Sequence, residues 1–307
     1  MATIGIDLGG TKVFGAVVDG GKVKSHAKKP TPATGPAGVV DAIASVIGEL
    51  DTDKVTKVGV GAPGQIDFEG GVVVEAPNLV GWDEPVPLGA LLSDALDGAE
   101  VRIDNDVNVG TLGEHRYGAG RDFDNVLGVF VGTGVGGGVV LGGELRRGPH
   151  GLAGEIGHII VHPDGRPWGD GALGTLEAYA GRGSMEDEAR RRHADGEPSA
   201  LIDIAGEDRM KSSVFAKALD AGDQMANELI DEAVEALGIA IATATLLVDL
   251  DAAVIGGGLG DRLGATFAGR VEQAARSRLF GSSSLRVVPS ALGDDSGAIG
   301  AALLFDR

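Results

Sequence analysis

Residues 101–114 of this chain read VRIDNDVNVGTLGE, and they hold the side chains around which the rest of the sequence is organised. The apolar positions of Val101–Ile103 predict the end of a strand, and Asp104–Asp106 stops that strand and begins a helix. In open α/β sheets, ligands bind at the edge where strands run into helices. The N–H groups of a helix start also help to keep a carboxylate ionised. Asp106 is therefore a candidate general base. The alternative is that Asp106 or Asp104 is only the N-cap of the helix.

The composition predicts an ordinary globular chain with unusual glycine content. Its 307 residues favour two domains, with one large domain as the alternative, and 43% hydrophobic residues are enough for real cores. Glycine occupies 53 positions, well above the usual share of about 7%. The glycines cluster in short turns after apolar runs, which suggests backbone that approaches ligands closely.

Charge and cysteine content exclude several classes of function. The net charge of −19 disfavours nucleic acid and anionic membranes as partners. The chain has no cysteine, so disulfides and thiolate metal sites are excluded. We find no signal peptide pattern and no apolar run of the roughly 18 residues that a membrane span needs. A cytoplasmic location is the expectation.

A glycine turn near the N-terminus is a candidate phosphate cradle. An apolar run ends at Asp7, and a second strand is predicted from Lys12 to Val18, so Gly9 and Gly10 lie in the turn of a hairpin. The N–H groups of this turn and the Thr11 hydroxyl suit phosphate oxygens. Asp7 can hold a magnesium ion directly or through water. The alternative is an ordinary Gly-Gly hairpin.

The same pattern recurs about 125 residues later, an offset that suggests two similar half-domains facing each other. A predicted strand at Asn125–Val131 breaks at Gly132–Gly138, which begins Gly132-Thr133-Gly134, and a strand resumes at Val139–Leu141. A third glycine break, Gly256-Gly257-Gly258, follows the predicted strand Ala252–Ile255. Backbone without side chains suits an adenine ring lying flat on it.

Four further polar residues are candidates for binding hydroxyl groups. Asn78 follows a proline in a turn, and its amide both donates and accepts hydrogen bonds. Glu155 and His158 precede a predicted strand at Ile159–Val161, and Glu177 lies in the first turn of a predicted helix. The alternatives are an Asx turn, a structural histidine and ordinary helix N-terminal chemistry.

The remaining pattern alternates strands with helices, which is typical of an α/β fold. Apolar spacing predicts a long buried helix at Gln224–Leu250 and an amphipathic helix at Arg262–Leu279. A final helix, capped by Asp294–Gly297, is predicted to end near Phe305. Residues 183–199 are charged and predict a solvated helix and loop.

Taken together, the motifs resemble the ROK family of sugar kinases and sugar-responsive repressors, within the actin-like ATPase superfamily. The resemblance covers nearly the whole chain, from Asp7 to Ala301. It is carried, in order, by Asp7–Lys12, Gly61–Gly64, Ala76–Leu79, Asn105-Asp106, Gly132–Gly136, Glu155–His158 and Gly256–Gly258.

The resemblance implies an α/β fold with two ribonuclease-H-like domains and a cleft between them. Residues 1–108 would form the small domain, joined by a C-terminal helix at 295–307, and residues 109–294 the large one. It implies a homodimer, ATP and Mg²⁺ as cofactors, and Asp106 as the base that deprotonates the attacking hydroxyl. The sugar would be held by Asn78, Asn105, Asp106, Glu155, His158 and Glu177. The nucleotide would be held by Asp7, Gly9, Gly10, Thr11, Lys12, Gly132, Thr133, Gly134, Gly256, Gly257 and Gly258.

One departure from the family pattern concerns a metal. In the family, three cysteines after the Glu-x-Gly-His signature bind zinc together with its histidine. Here those places fall on Trp168, Asp170 and Thr175, and tryptophan does not ligate zinc. Structural zinc is therefore expected to be absent, and our hypothesis is that packing around Trp168 keeps His158 on the sugar. A substitute site of His158 with His162, Asp164 and Asp170 is the alternative.

The resulting hypothesis is an ATP-dependent hexose kinase, with glucose phosphorylated on its 6-hydroxyl as the first expectation. Mannose, fructose, allose and N-acetylmannosamine are alternative acceptors, and polyphosphate is an alternative donor. A sugar-responsive repressor is disfavoured, because such repressors carry a DNA-binding segment before the first phosphate motif and Asp7 lies close to the start of this sequence. A sugar-binding protein without catalysis is the third hypothesis, and the intact Asp106 argues against it.

Overall fold

A computed structural model describes residues 3–52, 55–169, 171–281 and 283–306. The chain forms two compact units, the second of which consists of Asn125–Gly137 and Glu155–Ser290. The first unit holds the chain up to Asp124, Gly138–Gly154 and the residues from Ala291 onward. The predicted border between residues 108 and 109 falls inside a helix that lies wholly in the first unit, so the compact units divide the chain at other places.

The first unit is built on a five-stranded sheet whose order is β3 (Lys22–Pro30), β2 (Lys12–Asp19), β1 (Thr3–Leu8), β4 (Lys57–Ala62) and β7 (Glu100–Asn105). Strands β1 and β2 form the predicted hairpin, while β1, β4 and β7 run parallel. The elements of this unit that precede Asp124 are β1 Thr3–Leu8, β2 Lys12–Asp19, β3 Lys22–Pro30, α1 Pro36–Gly48, β4 Lys57–Ala62, β5 Gln65–Asp67, β6 Val72–Glu75, α2 Leu88–Ala95, β7 Glu100–Asn105 and α3 Asp106–Tyr117.

The parallel pairing places the predicted polar residues of this unit at one edge. Asp7 of β1 is in register with Gly61 of β4, and Gly61 is in register with Asp104 of β7. Because the carboxyl ends of parallel strands meet at the same edge of a sheet, Asp7 and the Asp104–Asp106 segment lie on the same side of the unit. This is the edge at which the sequence predicts a ligand.

The last helix of the chain, α10 (Ser296–Ala302), packs directly on the backbone of this sheet. A Cβ on Gly5 would lie 1.8 Å from the carbonyl oxygen of Ala298, and a Cβ on Gly59 would lie 1.8 Å from that of Ala301. These strand glycines therefore permit a close approach that no other residue allows. The helix begins within the predicted capping segment Asp294–Gly297: Asp295 is its N-cap, although it makes no side-chain cap bond, and a 3₁₀ turn, Gly293–Asp295, precedes it.

A buried carboxylate ties the end of the chain to α3. Glu114 is fully buried and accepts hydrogen bonds from the N–H groups of Ala119 at 2.8 Å, Ala291 at 3.0 Å and Leu292 at 2.7 Å. Buried backbone N–H groups need such partners. Glu114 thus supports the return of the C-terminal residues to the first unit, a role that the sequence pattern does not reveal.

A second five-stranded sheet has the order β10 (Glu144–Arg146), β9 (Val135–Leu141), β8 (Val126–Val131), β13 (Ala252–Gly256) and β14 (Arg286–Pro289). Strands β8, β13 and β14 of this sheet are parallel. Long helix α8 has 13 buried residues, as its apolar spacing predicts. The elements are β8 Val126–Val131, β9 Val135–Leu141, β10 Glu144–Arg146, β11 Pro167–Trp168, β12 Ala172–Leu173, α4 Leu176–Ala180, α5 Arg182–Ala194, α6 Ala200–Ala205, α7 Ser212–Asp220, α8 Gln224–Val248, β13 Ala252–Gly256, α9 Gly257–Arg276 and β14 Arg286–Pro289.

Two sequence predictions for this region are wrong. Ile159–Val161 is not a strand: a 3₁₀ turn, Ile156–His158, precedes it, and Ile160 forms a single bridge with Thr175. The N–H of Val161 donates instead to the carbonyl of Gly174 at 2.8 Å. Helix α9 begins at Gly257, before the predicted start at Arg262, and it is kinked at Gly264, where φ is +61°. Among the described residues, no helix combines the length and the apolar character that a membrane crossing needs.

Candidate active site

Asn105, and not Asp106, is the N-cap of α3. Its side-chain oxygen accepts from the N–H groups of Val107 at 2.9 Å and Asn108 at 3.1 Å. Its amide nitrogen donates to the carbonyl of Gly64 at 3.0 Å. The interpretation of Asp106 or Asp104 as the cap is therefore wrong. The first-turn carboxylate of Asp106 is left partly exposed, with the Val107 N–H donating to it at 2.9 Å.

Asp104 is a buried structural carboxylate. It is 1% exposed and accepts from the Arg147 Nε at 2.7 Å, from the Asn108 amide at 3.0 Å and from the Asn105 N–H at 2.8 Å. The Arg147 guanidinium also lies 3.8 Å from the ring centroid of Phe68. A buried carboxylate is costly unless hydrogen-bond donors or a positive charge compensate it, and these three donors do so for Asp104. Asp104 therefore orients the strand-to-helix turn that presents Asp106, and Arg147 is a residue that sequence reasoning missed.

Asp7 lies at the same sheet edge with a perturbed carboxyl group. Burial raises the pKa of Asp7 to about 6, the Lys12 ammonium acts against this rise, and Asp294 adds to it. A Cβ on Gly297 would lie 2.9 Å from the carboxyl carbon of Asp7, so α10 packs closely against this group. Because burial removes water from the Asp7 carboxylate, a bound cation would stabilise its charged form.

The first glycine turn is fastened by a residue from the end of β3. The Gly9 N–H donates to the Lys12 carbonyl at 2.9 Å. The Thr31 hydroxyl donates to the Gly9 carbonyl at 2.6 Å, and the Thr31 N–H donates to the Thr11 carbonyl at 3.0 Å. Thr11 itself is exposed. The turn is thus held by its carbonyls, and Thr31 is a second residue that sequence reasoning missed.

Asn78 lies next to this turn. A Cβ on Gly10 would lie 3.3 Å from the backbone oxygen of Asn78, and the Asn78 side chain is exposed. The segment is a turn, as predicted, because the Leu79 N–H donates to the Ala76 carbonyl at 2.9 Å. The first unit therefore gathers Asp7, Gly10, Asn78, Asn105 and Asp106 on one edge.

The predicted sugar residues of the second unit gather around Trp168. His158 and Trp168 rings contact edge to face, with centroids 4.9 Å apart and planes at 83°. The Trp168 indole N–H donates to Glu177 Oε1 at 2.8 Å. Glu155 Oε2 lies 3.4 Å from His158 Nδ1, and both of these side chains are exposed. Glu155, His158 and Glu177 are thus brought together in this unit, with Trp168 between two of them.

The second glycine turn, Gly132-Thr133-Gly134, is held by charged side chains. The Arg182 guanidinium donates to the Thr133 hydroxyl at 2.7 Å and to the Met210 carbonyl. Burial and the neighbouring Arg209 guanidinium lower the pKa of Arg182. The Val135 N–H donates to Glu177 Oε2 at 2.6 Å, directly after the turn. Arg182 is a third residue that sequence reasoning missed.

The third glycine segment packs on the end of β8. A Cβ on Gly257, where φ is +81°, would lie 2.8 Å from the Val131 nitrogen and oxygen. A Cβ on Gly256 would lie 3.0 Å from the Phe130 ring, and one on Gly258 would lie 3.5 Å from the Ser212 hydroxyl. Gly256 and Gly257 are therefore fixed by chain packing, and an adenine contact at this segment remains a prediction.

Two five-stranded sheets, each with a strand–glycine turn–strand hairpin at its start, define an α/β protein built on two similar sheets. The chain belongs to the ROK family, whose model matches residues 3–307. Structures of this family have the actin-like ATPase fold, so the predicted α/β fold class is confirmed.

Relatives of known activity match almost the full length. The chain is 34% identical to a glucokinase of Streptomyces coelicolor over 309 residues, covering 98% of this chain and 96% of that protein. It is also 34% identical to a glucokinase of Thermotoga maritima over 308 residues, with the same coverage. A ROK family glucokinase from Streptomyces griseus, solved in complex with glucose and AMPPNP, is 33% identical with a TM-score of 0.85, covering 99% of each chain.

Proposed function

We propose that this chain is an ATP-dependent glucokinase that phosphorylates the 6-hydroxyl of glucose. The observation that carries the proposal is the match, over almost all of both chains, to a glucokinase that binds glucose and an ATP analogue. The polar residues expected from the sequence support it, because they lie on two local clusters rather than being scattered over each unit.

Asp106 is the proposed general base. The carboxylate stands in the first turn of α3, where the N–H groups of the helix start favour a negative charge. Such a group accepts the proton of the sugar hydroxyl as that oxygen attacks the γ-phosphate. Asp104, Asn108 and Arg147 hold the turn beneath it. Positioned general-base catalysis contributes about 10²–10⁴-fold to the rate.

The two glycine turns are the proposed phosphate contacts. Their N–H groups, together with the hydroxyls of Thr11 and Thr133, offer donors to phosphate oxygens, with Lys12 adding a positive charge. Mg²⁺, which neutralises charge on the phosphates, would be held by Asp7 or by water bound to it; a carboxylate oxygen is a ligand that Mg²⁺ prefers. Gly256, Gly257 and Gly258 are the proposed adenosine segment.

The sugar hydroxyls are assigned to Asn78, Asn105, Asp106, Glu155, His158 and Glu177. The structure qualifies one of these assignments: both oxygens of Glu177 already accept a hydrogen bond, from Trp168 and from Val135. Each carboxylate oxygen has a second lone pair, so Glu177 can still accept from a hydroxyl while it orients its neighbours.

A coupled ADP-release assay tests the proposal. Glucose with ATP is expected to give the highest kcat/KM among glucose, mannose, fructose, allose and N-acetylmannosamine. Polyphosphate is compared with ATP as donor by the glucose 6-phosphate formed, because transfer from polyphosphate releases no ADP. ADP release with N-acetylmannosamine at a higher kcat/KM than with glucose would replace glucokinase by an N-acylhexosamine kinase. ADP release with none of the sugars would refute the kinase.

From the family resemblance we also propose that the protein is a homodimer and that it is located in the cytoplasm. Sedimentation velocity at micromolar concentration is expected to give twice the chain mass of 31.0 kDa. A single species at the chain mass would refute the dimer without affecting the proposed activity.

A further inference from the structure

Trp168 stands between two residues of the proposed sugar site. Its ring packs edge to face on His158, and its indole N–H donates to Glu177 Oε1 at 2.8 Å. The other oxygen of Glu177 accepts from the Val135 N–H at 2.6 Å. One partly buried side chain therefore connects the exposed histidine to the strand that follows the second glycine turn.

The segment that carries Trp168 is held by its own hydrogen bonds. Strands β11 and β12 pair Trp168 with Ala172, and the Gly174 N–H donates to the Arg166 carbonyl at 2.8 Å. The Gly174 carbonyl in turn accepts from the N–H groups of Val161 at 2.8 Å and His162 at 3.1 Å. A hairpin fastened in this way restricts the position of Trp168 without any further ligand.

The other end of the segment is anchored on α4 by Tyr179. The Tyr179 hydroxyl accepts from the Arg166 N–H at 3.0 Å, the Arg166 guanidinium lies 4.9 Å from the Tyr179 ring centroid, and the His162 ring contacts the Tyr179 ring at 4.8 Å. Glu177 and Tyr179 are two residues apart on α4. The segment is thus attached to this helix at two points.

The residues around His158 do not fit the zinc ion that the family resemblance implies. The chain has no cysteine. Within the described part of the chain, no group of three or more histidine, cysteine, aspartate or glutamate residues is arranged to hold a metal. Asp170, one of the predicted substitute ligands, lies outside the described residues. His158 instead contacts one carboxylate, Glu155, and the Trp168 ring.

We propose that Trp168 is a positioning residue that orients His158 and Glu177 for sugar binding, and that this chain needs no metal for that purpose. The inference rests on the proposed glucokinase function. The edge-to-face ring contact with His158 and the hydrogen bond to the Glu177 carboxylate each restrict one of these side chains. Removing both contacts is expected to weaken glucose binding more than removing either one.

Two substitutions separate the two contacts. Trp168→Phe keeps an aromatic ring beside His158 and removes the donor to Glu177, whereas Trp168→Ala removes both. We expect the Kd of glucose by titration calorimetry, and its KM by the coupled assay, to rise about 30-fold in Trp168→Ala, which loses both contacts, and about 5-fold in Trp168→Phe, which loses only the hydrogen bond. The KM of ATP is expected to stay within about twofold of wild type, because no ATP contact is removed.

Leu173→Ala is the matched control. Leu173 lies in the same hairpin and is 46% exposed, so its truncation tests whether any change in this segment weakens binding. Wild-type affinity for glucose is expected. A Kd in Trp168→Ala equal to that in Leu173→Ala would overturn the proposal, as would a loss of affinity for glucose and ATP alike. If Trp168→Ala does not fold, Trp168→Phe decides by the same criteria.

Chelation tests the metal. Wild-type protein dialysed against 1,10-phenanthroline is expected to keep its glucose Kd, and added Zn²⁺ is expected not to tighten it. A weakened Kd after chelation, restored by Zn²⁺, would overturn the inference. The calorimetric Kd does not depend on phosphoryl transfer. Wild-type protein that binds glucose but releases no ADP would therefore refute the proposed function while the Trp168 comparison still stands or falls by itself.

Discussion

The two glycine turns have nearly the same sequence pattern but opposite supports. The first turn is held by a neutral hydroxyl, Thr31, and is preceded by Asp7, a carboxyl whose pKa burial raises. The second turn is held by Arg182, a guanidinium whose pKa burial lowers, and is followed by an N–H that is tied to Glu177. In each case burial disfavours the charged form of the side chain beside the turn, a carboxylate at the first turn and a guanidinium at the second.

The largest effect on kcat is expected from Asp106, a residue that lies outside both turns. If the turns only hold phosphates, the proton acceptor is elsewhere, and Asp106→Asn is expected to lower kcat by about 10²–10⁴-fold because the base is lost. Glucose binding, measured by titration calorimetry, is expected to persist within about tenfold, since the amide still accepts a hydrogen bond.

The control for this substitution is Arg147→Met. It removes the partner of the buried Asp104 and leaves Asp106 in place. We expect it to lower the melting temperature with a smaller loss of kcat. A kcat in Asp106→Asn above one tenth of wild type would mean that Asp106 is not the base.

The sequence predicted the features of the two turns that arise from neighbouring residues, but not the contacts with residues far along the chain. Both turns follow from apolar runs broken by glycine, but the strand after the second turn begins at Val135 and not at the predicted Val139. The contact of Trp168 with His158 was predicted as packing that replaces a metal. Thr31 and Arg182 were missed because each lies outside the motif that it supports, 22 residues from Gly9 and 49 residues from Thr133. Ordinary propensity does not encode such remote contacts.

The errors have a local physical cause. Ile159–Val161 is apolar enough for a strand, but the Val161 N–H is taken by Gly174 and the Ile159 carbonyl by the Leu176 N–H. Tertiary hydrogen bonds to the segment before α4 thus override the local pattern. The alternative for this stretch placed the N-cap of α3 on Asp104 or Asp106, although all three residues of Asp104–Asp106 are good caps. Only the structure shows that Asn105 makes the bonds.

The support of the first turn can be tested by pH. The pKa of Asp7 rises from 3.8 to about 6 on folding, so the folded protein holds a proton that the unfolded chain has lost between these values. This contribution to the free energy of unfolding is fully present below pH 3.8 and is lost as pH rises to about 6, by at most about 1.4 kcal/mol per pH unit.

Asp7→Asn removes that dependence. In urea unfolding without Mg²⁺, the free energy of unfolding of the variant minus that of wild type is expected to increase between pH 4 and pH 6, by about 1 kcal/mol per unit, and to stay level from pH 7 to 8. Asp67→Asn, an exposed aspartate of the same unit, serves as the control. A flat difference would show that Asp7 is not desolvated, and the contrast with Arg182 would then disappear.

The support of the second turn predicts an effect on the nucleotide. Arg182→Met removes the donor to the Thr133 hydroxyl and a positive charge beside the turn, so the KM of ATP is expected to rise about tenfold, as expected for one charge-assisted hydrogen bond. The KM of glucose is expected to change less. Arg191→Met is the control, because Arg191 is exposed and pairs only with Glu188 and Asp195 in the bonds described. Equal KM values for ATP in the two variants would contradict an anion-binding role.

The smallest effect is expected at Thr31. Thr31→Val removes the hydroxyl bond to the Gly9 carbonyl but keeps the N–H bond to Thr11. The free energy of unfolding in urea is expected to fall by about 1 kcal/mol, and the KM of ATP to rise less than in Arg182→Met, because the lost group is neutral. Thr243→Val, which removes a hydroxyl bond within α8, gives the background cost of such a change. A KM for ATP that rises more in Thr31→Val than in Arg182→Met would reverse the comparison: the neutral support of the first turn, and not the charge at the second, would then limit nucleotide binding.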